Sequence, residues 1–400
     1  MAIQTTSNLT NSIRVQYQAA YQMAARNFRV YDQFAAPVEG MSMDEAMRGS
    51  SVQYPFLSAM QPGVTAISQT ADVTPQTLRD AVATITPTSR GEALQWSENL
   101  DIQTFTDYAA KRLAVLGENA QESIELLAIA AALQGTWVER ATARASLDAG
   151  TAGHRASDSI FRKYHAKMLS LKVPGFVTSD GQANTWAAVM HPYVFHDISE
   201  SGNVDTIGVY QDMGIHLNFE LGKIGPFRLV VTPYAKSFYG AGADNGTNVA
   251  TTLAAAANKL ATTITTAADV SANITAGELW TIGTEETANT FYPTNERVKI
   301  LSADTTTLTI LGEGENGGLR YDHSLGEAVR NADTVYTIAF AGPSSLIKLY
   351  AGNEFGEVVG PKMQGLLDQF QSVGWKFYGG YSRLTENRIM RYECTTSYEA

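Results

Sequence analysis

Residues Thr104–Leu147 read TFTDYAAKRLAVLGENAQESIELLAIAAALQGTWVERATARASL and carry the strongest helical pattern of the chain. Strong helix formers dominate, and only Gly117 and Gly135 interrupt the pattern. Apolar side chains recur near helical spacing at Phe105, Ala109, Leu113, Leu116, Ala120, Ile124, Leu127, Ala131 and Leu133. At 1.5 Å per residue, a helix of about 40 residues would be about 60 Å long. Few compact domains need such a rod, so the stretch predicts an elongated architecture.

The segment before this stretch has two different characters. Residues 1–49 resemble a terminal arm, with predicted helices at Ser12–Phe34 and Met41–Arg48 separated by Pro37 and Gly40. The aromatic face of the first helix requires a partner, either in the same chain or in a neighbouring one. Residues 50–103 contain two predicted strands, at Val52–Phe56 and Leu78–Ile85. A lone hairpin is marginally stable in water, so this excursion should lie on another surface.

The segment after it alternates helices and strands before its composition changes. We predict a helix at Ser157–Leu171, a strand at Thr185–Met190, a helix from Pro192 and strands within Gly214–Tyr239. Residues Asn248–Phe340 are then dominated by Thr, Ala and short β patterns, which indicates an inserted β-rich domain. Its predicted strands lie at Glu278–Thr284, Arg297–Ala303, Thr306–Leu311 and Thr334–Ala339. After it we predict a strand at Ser344–Tyr350, a short helix at Gly365–Val373 and closing strands at Trp375–Tyr381 and Asn387–Thr396.

The composition limits the classes of protein. The 400 residues are 44% hydrophobic, enough to bury a core, but only 17% are charged, where roughly 25% is usual. Low charge fits large subunit interfaces, although an ordinary Ala/Thr-rich globular protein has a similar composition. The net charge of −11 argues against broad phosphate binding, which needs clustered Lys and Arg. We expect no secretory signal, because Met1–Thr10 is polar and lacks a basic region followed by an apolar stretch, and no membrane span, because no run of 18 apolar residues occurs.

The single cysteine and the six histidines predict no chemistry. As the single cysteine, Cys394 excludes a disulfide within the chain, fits a reducing cytoplasm and is predicted to be a small apolar filler. His191 and His196 have a five-residue offset, which suits an ordinary turn better than a metal site. The other histidines show no ligand spacing; they are His154, His165, His216 and His323.

Other candidate motifs also have simpler interpretations. The glycine-rich stretches Gly240–Asp244 and Gly312–Gly318 lack the Lys-Ser or Lys-Thr of a phosphate loop. The second stretch lacks the EF-hand ligand order, so a hairpin turn is favoured over a calcium site. The pair Glu285-Glu286 is interpreted as part of a solvated surface. We therefore predict no catalytic residue, no cofactor-binding residue and no metal ligand, and a protein that is not an enzyme.

Several local sequences, taken in order, resemble the N4-like major capsid proteins of tailed phages, which have the Hong Kong 97-type fold. Gly63–Ser97 is similar to the extended loop of that family, and Val189–Ile198 to its strand, His-Pro and helix step. Ile224–Tyr234 is similar to the next strand, and Gly374–Gly380 with Ile389–Thr396 to the closing strands. The resemblance covers most of the chain except about 248–341.

The resemblance implies an α+β capsid fold with six segments. These are a 1–49 N-terminal arm, a 50–103 extended β-hairpin loop, a 104–185 peripheral domain with the long spine helix, a 186–247 first part of the axial domain, a 248–341 inserted β-rich domain and 342–400 closing strands. In such a shell the arm and the loop would lie over neighbouring subunits, and the insertion on the outer surface.

The implied function is self-assembly into an icosahedral shell of hexamers and pentamers around the double-stranded DNA of a tailed phage. The shell would form in the bacterial cytoplasm and enclose DNA without sequence-specific binding. Scaffolding, portal and decoration proteins are further expected partners. Three alternatives stay open: an encapsulin-like compartment shell with the same fold, a β-rich surface-binding or fibre protein, and a hydrolase with a cryptic site. The long helix argues against a fibre, which would not need it.

Overall fold

The computed structural model describes residues 29–37, 51–58, 60–64, 66–67, 70, 72–73, 75–103, 109–177, 185–200, 204–206, 217, 219–246, 250–286, 289–290, 292–364 and 369–399. Two compact units are formed. The first contains the described residues up to Ala131 together with Ser344–Thr385, and the second contains Ala132–Pro343 together with the residues from Glu386 onwards. Each unit has its own sheets and apolar core.

Helices and strands are both abundant in the described residues, which makes the fold a mixed α and β one, as the sequence predicts. The helices are α1 (Glu98–Gln103), α2 (Ala109–Leu133), α3 (Asp158–Ser170) and α4 (Pro192–Glu200). The strands are β1 (Ala35–Pro37), β2 (Val52–Leu57), β3 (Asp80–Ile85), β4 (Thr88–Ser97), β5 (Val138–Arg140), β6 (Trp186–Met190), β7 (Asp205–Thr206), β8 (Glu220–Ile224), β9 (Phe227–Val231), β10 (Ser237–Phe238), β11 (Ala250–Thr252), β12 (Thr263–Thr265), β13 (Leu279–Gly283), β14 (Glu296–Asp304), β15 (Thr307–Gly312), β16 (Ala328–Arg330), β17 (Val335–Ala341), β18 (Leu346–Ala351), β19 (Glu357–Gln364), β20 (Phe370–Arg383) and β21 (Ile389–Cys394).

The first unit is built on helix α2 and a five-stranded sheet. The sheet has the order β1-β18-β20-β19, and β4 pairs with β20 along ten residues, from Ser97 opposite Phe370 to Thr88 opposite Gly379. The buried face of α2 carries Leu113, Leu116, Ala120 and Ile124, which pack against Val358, Val373, Trp375 and Phe377 of the sheet. The helical periodicity of the sequence therefore marks a real core-facing stripe.

The second unit contains an eight-stranded sheet of order β5-β21-β17-β6-β9-β8-β7, with β10 paired to β17. Helix α3 covers this sheet through Ile160, Phe161, Tyr164 and Met168, all of them buried. Tyr164 stacks on Phe340 of β17 with ring centroids 4.1 Å apart. The near-continuous apolar strands β6 and β9 pair in parallel and are buried along their whole length, as strands covered on both faces usually are.

A six-stranded antiparallel sheet lies within the second unit, in the order β11-β16-β13-β14-β15-β12. Its core is separate from that of the eight-stranded sheet and includes Trp280, Ile300, Leu308 and Val329. The region expected to hold the β-rich insertion thus contains a sheet of its own. The strand predicted at Thr334–Ala339, however, is β17, which pairs with β21 and β6 in the eight-stranded sheet. The domain limits themselves stay predictions.

Three predicted helices differ from the structure. The long helix was expected to continue to Leu147, but α2 ends at Leu133 after 25 residues, and Thr136, Trp137 and Val138 lead into strand β5. Gly135 and these β-favouring residues stop a helix that periodicity alone would continue. The predicted helix at Gly365–Val373 is also wrong for its described end, because β20 begins at Phe370 and pairs with β19 and β4.

The third difference concerns the arm. Its described end is a 3-10 helix at Tyr31–Phe34 followed by β1, instead of a continuing α-helix. The rest of the predicted helix at Ser12–Phe34 and all of Met41–Arg48 lie outside the described residues, as do residues 104–108 at the predicted start of the long helix.

Deletion of the six-stranded sheet is expected to leave the rest of the protein folded, provided that β17 is kept. The Asn245 N–H donates to the Asn331 carbonyl at 3.0 Å, so a short glycine linker can replace residues 246–330. Lys236→Met should accompany the cut, because the deletion removes the carboxylate partner of this buried lysine. Circular dichroism and cooperative melting should show a folded product. Excision of Asn248–Ala341, which also removes β17, should give no cooperative melting; a folded product there would contradict the sheet assignment.

Candidate functional site

A β-hairpin of the first unit projects apolar side chains into solvent. Strands β2 and β3 pair from Val52 opposite Ile85 to Leu57 opposite Asp80. At the base of the hairpin, Val52, Ala83 and Ile85 are buried against Ile347 and Leu349 of β18. The base therefore anchors the hairpin in the core of its own unit.

Beyond the base, the same hairpin has almost no core. The Ser58 N–H donates to the Arg79 carbonyl at 2.9 Å, and the Gln61 N–H and carbonyl both bond the Gln76 amide, so its two sides stay together. Val64 is 90% exposed and Ile67 is 79% exposed. We call the exposed apolar residues of this segment the hairpin surface; they are Leu57, Met60, Val64, Ile67, Val73, Leu78 and Val82. Exposed apolar residues gathered on one hairpin make this segment a candidate surface for binding a partner.

The described end of the N-terminal arm is fixed to the first unit. Val30, Tyr31 and Phe34 are almost fully buried. Their backbone N–H groups at Val30 and Tyr31 both donate to Oε1 of Glu125 on α2, at 2.9 and 2.5 Å. Burial raises the pKa of Glu125 to about 7, although these two hydrogen bonds oppose the shift. The arm thus finds its first partner in its own chain at these residues.

Asp32 adds a second attachment of the arm. Its carboxylate accepts hydrogen bonds from Lys348 Nζ at 3.1 Å and from the Tyr381 hydroxyl at 2.7 Å. Both partners come from the five-stranded sheet, on β18 and β20. The short parallel pairing of β1 with β18 continues the contact from Ala35 to Pro37.

A buried cluster of charges joins strands and loops of the second unit around Glu393 of β21. Its carboxylate is fully buried and accepts hydrogen bonds from Arg140 at 2.5 Å and from Arg144 at 2.8 and 3.0 Å, while Arg391 Nε lies 3.1 Å away. Burial by itself would raise the pKa of Glu393, but the hydrogen bonds to Arg144 and Arg140 and the charge of Arg391 lower it. The arginines neutralise the buried carboxylate, which gives this cluster a structural role.

The C-terminal residues are tied to the same unit. The Glu399 carboxylate contacts Arg297 and the Tyr336 hydroxyl, and it accepts from the Thr334 N–H at 3.1 Å. Tyr398 stacks on Tyr193 of α4 with centroids 4.1 Å apart. Tyr398 and Glu399 therefore contact α4, β17 and strand β14 of the six-stranded sheet.

The structure does not bring the candidate histidines His191 and His196 together in one site. His191 is largely buried against Tyr193 and Tyr336, and burial, helped by Arg297, lowers its pKa to about 3. His196 is half-exposed beside Asp197 and Glu200, at 3.8 Å from each. His216 lies outside the described residues. Among the described side chains, no group of three or more His, Cys, Asp or Glu is placed to hold a metal ion.

The acidic and cysteine candidates have the following positions. In the turn Gly312–Gly318, Glu313 lies 3.8 Å from Arg297, and a 3-10 helix spans Glu315–Gly317. Cys394 is buried, which fits the small apolar filler that the sequence predicts, and burial raises the pKa of its thiol. No described helix has the length and apolar character needed to cross a membrane.

One interpretation of the acidic pairs was wrong. Glu285 is solvated and pairs with Arg330 at 2.7 Å, but the adjacent Glu286 is only 1% exposed. It bonds Lys236 Nζ at 2.7 Å. The partner is 50 residues away along the chain, so neither local composition nor spacing indicated that Glu286 is buried.

The sequence pattern also did not indicate that His323 is a charged site. Its side chain is fully buried, with Nε2 2.8 Å from Glu296 Oε1 and Nδ1 2.7 Å from Glu327 Oε2. Burial opposes protonation, but the hydrogen bonds to the two glutamates outweigh it and raise the pKa of His323. A charged imidazolium can donate to both carboxylates at once. The His-x-x-x-Glu spacing from His323 to Glu327 was the one local signal.

His323 should therefore make stability depend on pH. Because its folded-state pKa is raised, its contribution is fully present below the unfolded pKa of about 6.5 and is lost as pH rises through the folded pKa. We expect the difference in thermal midpoint between the protein and a His323→Gln variant to be largest below pH 6 and to shrink as pH rises. A constant difference for His323→Gln would exclude a charged histidine.

Comparison with known proteins supports the fold through structure alone. No protein-family model and no curated protein matches the sequence. The capsid of Ralstonia phage GP4 is similar in structure, with a TM-score of 0.58 and 10% sequence identity over 93% of this chain and 92% of that one. The capsid of cyanophage P-SCSP1u has a TM-score of 0.51 at 10% identity over 93% and 90%. The chain thus shares the fold of phage capsid proteins across nearly its whole length, consistent with the Hong Kong 97 type.

Proposed function

We propose that this chain, whose fold is that of phage capsid proteins, is the major capsid subunit of a tailed phage and assembles into the icosahedral shell around its double-stranded DNA. The single observation that carries the proposal is the structural match over 93% of the chain with a TM-score of 0.58. The role is structural and not catalytic. The protein would reside in the virion after assembly in the bacterial cytoplasm.

The hairpin surface supports self-assembly as the mechanism. A soluble monomer gains nothing from a Val that is 90% exposed and an Ile that is 79% exposed on one excursion. Burying this surface on a neighbouring copy would supply hydrophobic free energy at every subunit contact. Many such weak contacts give a stable shell whose subunits can still dissociate from misplaced positions.

The charge of the chain fits a container better than a DNA-binding protein. With a net charge of −11, the subunit would repel most of the packaged phosphate backbone instead of gripping it. DNA would be enclosed without sequence-specific contacts. The subunits would form hexamers and pentamers, and scaffolding and portal proteins are the further partners expected of such a shell.

The finer assignment is also a proposal. We infer the N4-like group from the local sequences at Gly63–Ser97, Val189–Ile198 and Ile224–Tyr234. The arm, loop, peripheral, axial and inserted segments would then follow the limits predicted from the sequence. The six-stranded sheet would lie on the outer surface, where decoration proteins could bind it.

Electron microscopy of the purified protein tests the function. Closed icosahedral particles support a shell, and a protein that stays monomeric at high concentration would overturn it. Particles made in infected cells that contain DNA identify a capsid, whereas particles filled with protein would indicate an encapsulin-like compartment. Truncation of residues 1–28, which keeps the Glu125 attachment, tests the arm: we expect soluble oligomers in place of shells.

A further inference from the structure

Three buried polar side chains meet beside the ends of strands β10, β13 and β14, a place that we call the root of the six-stranded sheet. Lys236 immediately precedes β10, Glu286 follows β13, and Asn295 immediately precedes β14. Their exposed fractions are 4%, 1% and 5%. An amine, a carboxyl group and a carboxamide are thereby enclosed together, away from water.

One oxygen of the carboxyl group contacts both other groups. Lys236 Nζ donates to Glu286 Oε1 at 2.7 Å, and Asn295 Nδ2 donates to the same oxygen at 3.0 Å. The orientation of the carboxamide is set by Thr284, whose N–H donates to Asn295 Oδ1 at 2.8 Å and whose carbonyl accepts from Nδ2 at 2.7 Å. The amide nitrogen therefore faces the carboxyl group, and the amide oxygen faces a backbone donor.

Burial biases the protonation states of the pair toward neutrality. It raises the pKa of Glu286 to about 7, against the opposing effects of Lys236 and Asn295. It also lowers the pKa of Lys236, again against the attraction of Glu286. Glu286 Oε2 is buried without a hydrogen-bond partner, an arrangement that costs less for a neutral carboxyl than for a carboxylate. A neutral lysine amine is a nucleophile, whereas an ammonium is not.

We propose that Lys236 and Asn295 form an intramolecular isopeptide bond, promoted by Glu286. The site is a modification site within one chain and is independent of whether the chain forms a shell. No external reagent is needed, because both reacting groups and the proton carrier are already enclosed.

The reaction balances as an amide exchange. The Lys236 amine attacks Cγ of Asn295, forming the Nζ–Cγ bond, while the negative charge that develops on Oδ1 is stabilised by the Thr284 N–H. The neutral carboxyl of Glu286, whose Oε1 contacts both nitrogens, gives its own proton to Nδ2 and takes one from Nζ, so it ends the step neutral. The Cγ–Nδ2 bond then breaks and ammonia leaves. No atom is oxidised or reduced.

The bond would fasten two sheets of the second unit. Lys236 leads into β10, which pairs with β17 in the eight-stranded sheet, and Asn295 leads into β14 of the six-stranded sheet. The bond would restrict the long loop between the two residues in the unfolded chain, and this loss of conformational freedom would stabilise the folded root.

Intact mass spectrometry of the denatured protein tests the proposal. The expected mass is lower than that of the sequence by one ammonia molecule. Tryptic mapping should then yield a branched peptide in which Lys236 is not cleaved and is joined to Asn295. An unchanged mass would overturn the proposal. Loss of ammonia confined to an asparagine peptide, with normal cleavage at Lys236, would also overturn it, because it indicates a succinimide.

Two variants separate the roles of the residues. Glu286→Gln keeps the shape but removes the proton carrier, so we expect the unmodified mass. Lys236→Met removes the nucleophile and should give the same result. Lys348→Met serves as the matched control, since this lysine contacts only carboxylates among its hydrogen-bond partners in the structure, and its variant should keep the branched peptide. If Glu286→Gln does not fold, the mass of the unaltered protein still decides the question.

Discussion

Replacing Val64 and Ile67 by serine is expected to abolish closed particles while the isolated subunit stays folded. Both side chains point into solvent, at 90% and 79% exposure, so the changes remove little contact within the chain. In an assembled shell each substitution would remove about 1.5–3 kcal/mol of the free energy gained by burying the side chain, and this loss would recur in every copy of the subunit. Particle yield should be measured by electron microscopy and sedimentation, alongside the thermal midpoint of the unassembled subunit.

The base of the same hairpin provides the control. Ile85 is only 1% exposed and packs with Ile347 and Leu349, so Ile85→Ser should lower the thermal midpoint of the subunit itself. Particles of normal yield and shape from the Val64→Ser and Ile67→Ser double variant would show that the hairpin surface does not drive assembly.

Replacing Glu393 by alanine is expected to destabilise the second unit by about 3–5 kcal/mol, the usual cost of leaving buried charges without their partner. Arg144 and Arg391 are largely buried, and both lose the carboxylate that neutralises them. Because the folded-state pKa of Glu393 is lowered, its contribution is present above the unfolded pKa and is lost as pH falls through the folded value. Urea unfolding monitored by circular dichroism measures the change.

An exposed ion pair supplies the comparison for Glu393. Glu357 and Lys376 lie 3.8 Å apart on β19 and β20, with side chains 40% and 65% exposed. Glu357→Ala should therefore cost less than about 1 kcal/mol. If Glu393→Ala were equally mild, the other hydrogen bonds of Arg144 and Arg391, to Asn289 and the Leu133 carbonyl, would be enough to hold the buried arginines, and the Glu393 charge would not be what stabilises them.

Local patterns in the sequence identified many of the regular elements. The prediction at Ser157–Leu171 corresponds to α3, and the alternation at Asn387–Thr396 corresponds to β21, because each pattern reflects one face that meets a core. The same reasoning failed at the end of α2 and at Phe370. There, apolar residues fit a helical period, but pairing with strands far along the chain decided the conformation.

Sequence patterns did not predict which charged residues are buried together. Glu286 and His323 acquire their character from partners up to 50 residues away, and Glu393 from arginines about 250 residues away. Periodicity reports only which face of an element is apolar, so it says nothing of which charged groups meet.

The sequence by itself determined the mixed α and β composition, the apolar stripe of α2, the excursion with little core and the separate β-rich region, because all four depend on local propensity and periodicity. Tertiary structure alone decided that β17 belongs to the eight-stranded sheet, that the end of the arm is held by Glu125, and that Lys236, Glu286 and Asn295 share one enclosed space. These depend on the folded chain bringing distant residues within hydrogen-bond distance and removing water from around them.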